Sequence, residues 1–265
     1  MQIGPGTRAV VTGASRGIGR AVAQALAARG ATVGLAARST GALETLAAEL
    51  PGSHLPLTCD VALPASVLAA VEEFVAATGG LDLLVANAGI AHYEPVAEQS
   101  LEHIEQMTQV NWLGTVYTIK AGLPHLLAAG RGHIVVVSSG AGLRAFPGAA
   151  AYSATKAAQR MFAEALRHEL AGSGVSLTTV YPGEIRTSLH AHELSRMPEW
   201  YRGGPEAATP EALAKLIVSA VERDRRHLHY RPFVKGLGML NGVSPGAADR
   251  LLRRLRGPTA APRRD

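Results

Sequence analysis

The stretch Thr12-Gly13-Ala14-Ser15-Arg16-Gly17-Ile18-Gly19 decides how the chain folds. It joins an apolar run, Thr7 to Thr12, to a segment in which Ile18, Val22 and Leu26 recur every fourth residue. The first reads as a buried strand and the second as a helix over Gly17–Arg29 with one apolar face. Glycines between them permit a tight turn and let main-chain amides approach a pyrophosphate, while the helix N-terminus behind presents unpaired N–H groups and the positive end of its dipole. A plain strand–helix connection would not need three glycines in seven residues. The turn is therefore read as a nucleotide site made by Gly13, Ser15, Arg16, Gly17, Ile18 and Gly19, although its G-x-x-x-G-x-G spacing differs from the common G-x-G-x-x-G dinucleotide pattern.

The same alternation repeats downstream. Strands are expected at Thr32–Ala37, His54–Thr58, Leu81–Ala86, His133–Ser138 and Ser176–Tyr181, with helical patterns near 40–50, 64–77, 98–129 and 150–171. Near-continuous Val/Leu runs suit strands buried on both faces, and strand–helix alternation implies parallel crossovers. The fold class is α/β, a doubly wound parallel sheet of Rossmann type. After Pro182-Gly183 the pattern changes. A helix is expected at Pro210–Arg223, with Pro in its first turn, and a last short strand at His227–Arg231. Residues 1–231 are read as the catalytic domain, including a substrate loop at 184–208. Residues 232–265 form a C-terminal extension, Gly/Pro-punctuated, with one basic helical patch at Asp249–Arg256.

The second strand distinguishes between dinucleotides. An acidic residue about 20 positions after the glycine turn would hold a ribose 2′-hydroxyl, whereas an arginine accommodates a 2′-phosphate. Here the position is Arg38, followed by Ser39, and no carboxylate is near. With Arg16 as a second guanidinium, the pattern favours NADP(H) over NAD(H). The alternative is that Arg38 is only a solvated charge at a strand end.

Composition excludes several classes. The chain has 265 residues, of which 47% are hydrophobic and 18% charged, so it can bury a sizeable core. Its one cysteine, Cys59, excludes an internal disulfide framework and a Cys-based zinc site. No metal is expected: His190 and His192, like His227 and His229, lack a third ligand. Neither a signal peptide nor an apolar run of spanning length is evident, so a cytoplasmic protein is expected. The net charge of +5 is uneven: residues 221–265 carry 11 Lys/Arg and 4 Asp/Glu, the rest 15 and 17. A body without a basic face argues against nucleic acid as partner.

Tyr152 and Lys156 lie one turn apart at the start of a helical stretch. A phenol of pKa about 10 is a poor acid or base at neutral pH, and a neighbouring ammonium lowers that value. Ser139 directly follows the expected strand His133–Ser138, 13 residues before Tyr152, at the carboxyl edge where open sheets bind ligands. Its hydroxyl can donate to a carbonyl oxygen on which charge develops.

Together these residues resemble the short-chain dehydrogenase/reductase family. The resemblance is carried by Thr12-Gly13-x-x-x-Gly17-Ile18-Gly19, Asp60-Val61, Ala86-Asn87-Ala88-Gly89, Asn111, Ser139, Tyr152-x-x-x-Lys156 and Pro182-Gly183, in order, over about residues 7 to 187. It implies that Tyr152 is the proton donor in reduction and the base in oxidation. By the same resemblance Lys156 lowers the Tyr152 pKa and binds the nicotinamide ribose, and Ser139 polarises the substrate carbonyl. Asn111 holds a water that relays protons from Lys156. Asp60 and Val61 contact the adenine, Asn87, Ala88 and Gly89 pack beside the cofactor, Pro182, Gly183 and Ile185 line its site, and Thr187 meets the carboxamide. Simpler roles stay open for Asp60, as a turn cap, and for Asn111, as a partner of helix backbone.

The implied activity is an oxidoreductase acting on CH–OH or C=O groups. The resemblance departs at the C-terminus, where a family Asp-Gly-Gly segment is missing and a tail stands instead, as in relatives that take bulky apolar substrates. A homodimer or homotetramer is expected by analogy. Arg144, Phe146 and Trp200, with Ser139 and Tyr152, are the candidate substrate contacts. The basic leucine-containing stretch Arg250–Arg256 either rests on an anionic membrane or packs its leucines on the domain. Two further readings remain: a non-catalytic NADP(H) sensor on the same fold, and a reductase of imines or activated alkenes.

Overall fold

Seven parallel strands form one sheet: β1 (Arg8–Thr12), β2 (Thr32–Ala37), β3 (Leu55–Thr58), β4 (Leu83–Ala86), β5 (Gly132–Val137), β6 (Val175–Tyr181) and β7 (His227–His229). Their order is β3-β2-β1-β4-β5-β6-β7 in the computed structural model, which describes residues 1–187, 189, 207–230 and 232–256. The chain reverses its direction of winding between β1 and β4, and a crevice opens beyond their carboxyl ends.

Period-2 alternation splits the core into two layers. Ala9, Val11, Val33, Leu35, Val85 and Val135 face one side and pack with α1 (Gly17–Ala27), α2 (Thr40–Glu49) and α7 (Pro210–Glu222). Val10, Ala36, Leu57, Leu84, Ile134 and Val136 face the other, against α3 (Pro64–Thr78), α5 (Gly114–Ala129) and α6 (Ala150–Glu169). Strands so buried need apolar side chains on both faces, which is why they read as unbroken runs.

Two segments differ from the expected elements. The helical pattern near 98–129 is α4 (Leu101–Met107), a π turn over Thr108–Leu113, and α5. The π turn widens the helix by one residue at Asn111. The extension carries a further helix, α8 (Pro232–Val243), before α9 (Pro245–Arg256). Gly236, Gly238 and Gly242 disfavour a helix locally. The packing of α8 on its surroundings supplies what propensity lacks: a methyl on Gly238 would stand 3.3 Å from Leu143, and Asn241 Nδ2 donates to the Leu143 carbonyl at 3.5 Å.

Candidate active site

A cleft of about 590 Å³ lies at the carboxyl edge of the sheet. One end is the glycine turn. Gly13 has φ +68°, and a Cβ on it would stand 2.9 Å from Ala88 Cα. A Cβ on Gly19 would strike the Gly13 carbonyl at 2.2 Å, so only glycine lets the turn close on the start of α1. Arg16 caps α1 in extended conformation without a side-chain bond to the helix amides. The first turn of α1 thus opens on the cleft through Gly17 and Ile18. This cradle fits the pyrophosphate of a nicotinamide dinucleotide, since the glycines keep the turn tight against Ala88 and leave the N-terminus of α1 open to the cleft.

The remaining wall is built by β4, β5 and β6. Asn87 donates through Nδ2 to the Thr12 carbonyl at 2.9 Å. Thr12 Oγ1 accepts from the amides of Asn87 and Ala88 at 3.0 and 3.2 Å, stitching β4 to β1 beneath the cleft. Asp60 lines the cleft and also accepts from the Ala62 amide at 3.0 Å, so it caps its turn. Arg38 and Ser39 line the cleft beside it, both exposed.

Ser139, Tyr152 and Lys156 converge on the opposite end. Ser138 Oγ donates to the Lys156 carbonyl at 2.8 Å, joining the end of β5 to α6. Gly142 fits because a Cβ there would stand 2.7 Å from that same carbonyl. These contacts fix Ser139 against the first turn of α6, where it shares a hydrogen bond with Tyr152. Lys156 Nζ donates to the Val137 carbonyl at 3.2 Å and stands 5.8 Å from the Tyr152 ring centre.

Burial dominates the ionisation of both. It pushes the Tyr152 phenol up to about 12 against the opposing Ser139 hydrogen bond. It brings the Lys156 ammonium down to about 7. In both cases the cause is that the charged form loses its hydration.

Gly17, Ile18, Ser15, Val61, Asn87, Ala88, Gly89, Pro182, Gly183, Ile185 and Thr187 also line the cleft. A Cβ on Gly17 would meet Thr187 Cγ2 at 3.4 Å, so the segment after β6 folds over the glycine turn. Asn111 stands behind the wall, fully buried. Its Oδ1 accepts from the Ile90 amide at 2.8 Å and its Nδ2 donates to the Ile90 carbonyl at 3.0 Å. It also donates to Thr155 Oγ1 at 3.1 Å, and a Cβ on the neighbouring Gly89 would stand 3.2 Å from its Oδ1 and 3.5 Å from Lys156 Nζ.

Of the expected substrate contacts, Ser139 and Tyr152 line the cleft. Phe146 is buried against Tyr93, with ring centres 5.8 Å apart, and Tyr93 meets the Tyr152 ring edge-on at 5.6 Å. Arg144 pairs with Asp249 of α9. Neither lines the cleft, and Trp200, with His190 and His192, lies outside the described residues. Residues that sequence reasoning missed include Ile90, Val110, Val137, Ser138, Leu189 and Cys59. Ile90 and Ser138 adjoin motif residues, which is the signal that could have found them. Cys59 adjoins Asp60, and burial pushes its thiol up to about 11.

The family model for short chain dehydrogenases matches residues 7–197. Glycine betaine reductase ATRR of Emericella nidulans is 38% identical over 226 residues, which is 82% of this chain, and the chain spans 18% of that relative's length. An alcohol dehydrogenase from Thermococcus sibiricus, solved with 5-hydroxy-NADP, superposes with a TM-score of 0.74 at 30% identity, covering 84% of this chain and 94% of that one. A 3-ketoacyl-(acyl-carrier-protein) reductase from Brucella melitensis, solved with NADH, superposes with a TM-score of 0.79 at 27% identity, covering 85% and 96%. With these matches and this cleft, the chain belongs to the short-chain dehydrogenase/reductase family.

Proposed function

We propose that the protein moves a hydride between NADP(H) and a carbonyl or secondary alcohol of a bulky apolar substrate, with Tyr152 as acid and base. The observation that carries this reading is the convergence of Ser139, Tyr152 and Lys156 at one end of a cleft whose other end is a phosphate cradle. When bound, the nicotinamide supplies the hydride chemistry. The chain's own residues supply the proton and hold the substrate. Tyr152, with its pKa near 12, keeps its proton at neutral pH and can give it to a carbonyl oxygen. Ser139 Oγ, already bonded to Tyr152, donates to the same oxygen and holds it in reach. The Lys156 ammonium stabilises the phenolate that Tyr152 leaves behind.

Preference for NADP(H) rests on Arg38 and Arg16, since one solved relative carries an NADP derivative and the other NADH. A 2′-phosphate beside Arg38 gains a charge-assisted hydrogen bond that a 2′-hydroxyl cannot. An apolar substrate is supported by Ile90, Val110 and Leu189, which line the cleft.

Turnover of aldehydes, ketones, steroids and quinones with NADPH and with NADH tests the reading. It expects at least one ketone or aldehyde to be reduced with a clear NADPH preference. An NADH preference would sink the Arg38 argument. Tight NADPH binding with no turnover of any member would favour the sensor.

A further inference from the structure

We infer that the outward faces of α8 and α9 form a docking surface for an anionic lipid membrane. The surface is independent of the hydride chemistry. Among the described side-chain positions of α8, Lys235, Gly236, Met239, Gly242 and Val243 are exposed, spaced as a single helical face. Met239 is 63% and Val243 88% exposed. On α9 the exposed positions include Arg250, Leu251 and Arg254, with Leu251 at 37%, while Ala248 is buried. The two helices pack against each other.

Charge says what covers this surface. Asp249 is the one acid between residues 232 and 256, and it pairs with Arg144. Lys235, Arg250 and Arg254 therefore face solvent without a carboxylate among them. Residues 232–256 carry five Lys/Arg against that one acid, so the two helices bear a net positive charge. A bilayer interface offers what both halves of the surface want: headgroup phosphates for the guanidinium groups, and acyl carbon for Met239, Val243 and Leu251. Duplex nucleic acid would satisfy the arginines and leave the apolar side chains in water. Each helix has 12 residues, too short to span and suited to lying in the interface.

The surface is also joined to the active end of the molecule. Asn241 donates to the Leu143 carbonyl, and Asp249 holds Arg144, both in the segment between Ser139 and α6. A membrane bound here sits beside the turn that follows Ser139.

The test is co-sedimentation of the full chain with vesicles of pure phosphatidylcholine and of equimolar phosphatidylcholine and phosphatidylglycerol. The expected result is binding to the anionic vesicles only, weakened about fivefold by each of Arg250→Gln and Arg254→Gln. Met239→Ser with Val243→Ser should weaken it further. NADPH binding and turnover of a water-soluble substrate should be unchanged in all of these variants, which shows that they fold. Absence of binding to anionic vesicles overturns the inference, as does binding that none of the variants weakens. Loss of self-association in the Met239→Ser/Val243→Ser variant without lipid binding by the parent would assign the face to a second copy. Retention on duplex DNA without lipid binding would assign it to nucleic acid. Either result overturns the lipid assignment.

Discussion

Gln159 donates through Nε2 to the main-chain carbonyl of Asn111 at 2.7 Å. Thr115 Oγ1 donates to the same oxygen at 2.8 Å. Asn111 lies inside the π turn over Thr108–Leu113, and its carbonyl takes two side-chain donors there. The resemblance gives Asn111 a water that leads protons from Lys156. In this fold the Asn111 carbonyl accepts from Gln159 and Thr115, while its side chain holds Ile90 and Thr155.

Asn111→Ala removes the partners of the Ile90 amide and carbonyl and a bond to Thr155. A loss of about 2–4 kcal/mol is expected, because each buried group left unpaired costs about 1–3 kcal/mol. Gln159→Leu should cost only about 1 kcal/mol, since its own Oε1 is buried without a partner and leaves with it. Denaturant melts of the two variants check the order, and a larger loss for Gln159→Leu would contradict it.

Burial of Lys156 sets a conflict between stability and activity. Its folded pKa, about 7, lies below the unfolded value. The unfolded chain therefore binds the extra proton between about pH 7 and 10.5, and stability rises with pH across that window. Lys156→Met should raise stability at pH 7 by about 2–5 kcal/mol, a gain that is full below pH 7 and fades toward pH 10.5, while turnover is lost. In the native enzyme, kcat/KM for reduction should hold below pH 7 and fall above it as Lys156 loses its charge. A profile flat to pH 9 would contradict this.

Much of this architecture is legible in the sequence because the strands are buried on both faces. Runs such as Ile134–Val137 are short and wholly β-branched, which favours a strand over a helix, and the glycine turn has a steric cause that its spacing displays. The π turn is not legible: Leu101 to Ala129 keeps a helical pattern, and the extra residue at Asn111 is stabilised by Gln159 from another helix. The pairing of Arg144 with Asp249 is not legible either, because the two lie 105 positions apart. α8 is hidden by its glycines, whose cost is offset by tertiary contacts with Leu143.

His133 gives the fold an acid limit. Thr178 Oγ1 donates to the Arg225 carbonyl at 2.6 Å, so it accepts from His133 Nε2–H at 2.7 Å, and the ring is neutral. Burial brings its pKa down to about 4. The unfolded chain takes up the proton first, so this contribution is present above about pH 6.5 and is lost progressively down to pH 4. It amounts to about 2–3 kcal/mol. His133→Gln should flatten the pH dependence of stability in that window, and an unchanged slope would contradict the assignment.

Arg38→Ala should weaken NADPH binding about 10- to 100-fold and leave NADH nearly unaffected, as removal of one charge-assisted hydrogen bond requires. Arg38→Asp should reverse the preference by repelling the 2′-phosphate. Equal loss for both cofactors would show that Arg38 does not read the 2′ position.

The central claim is that Tyr152 supplies the proton, and Tyr152→Phe tests it most directly. The substitution removes one oxygen from a buried ring packed on Tyr93. NADPH affinity, followed by fluorescence titration, should stay within about threefold, while the rate of carbonyl reduction falls by about 10²–10⁴ or more. A variant that binds NADPH and reduces its substrate at the native rate would contradict the account.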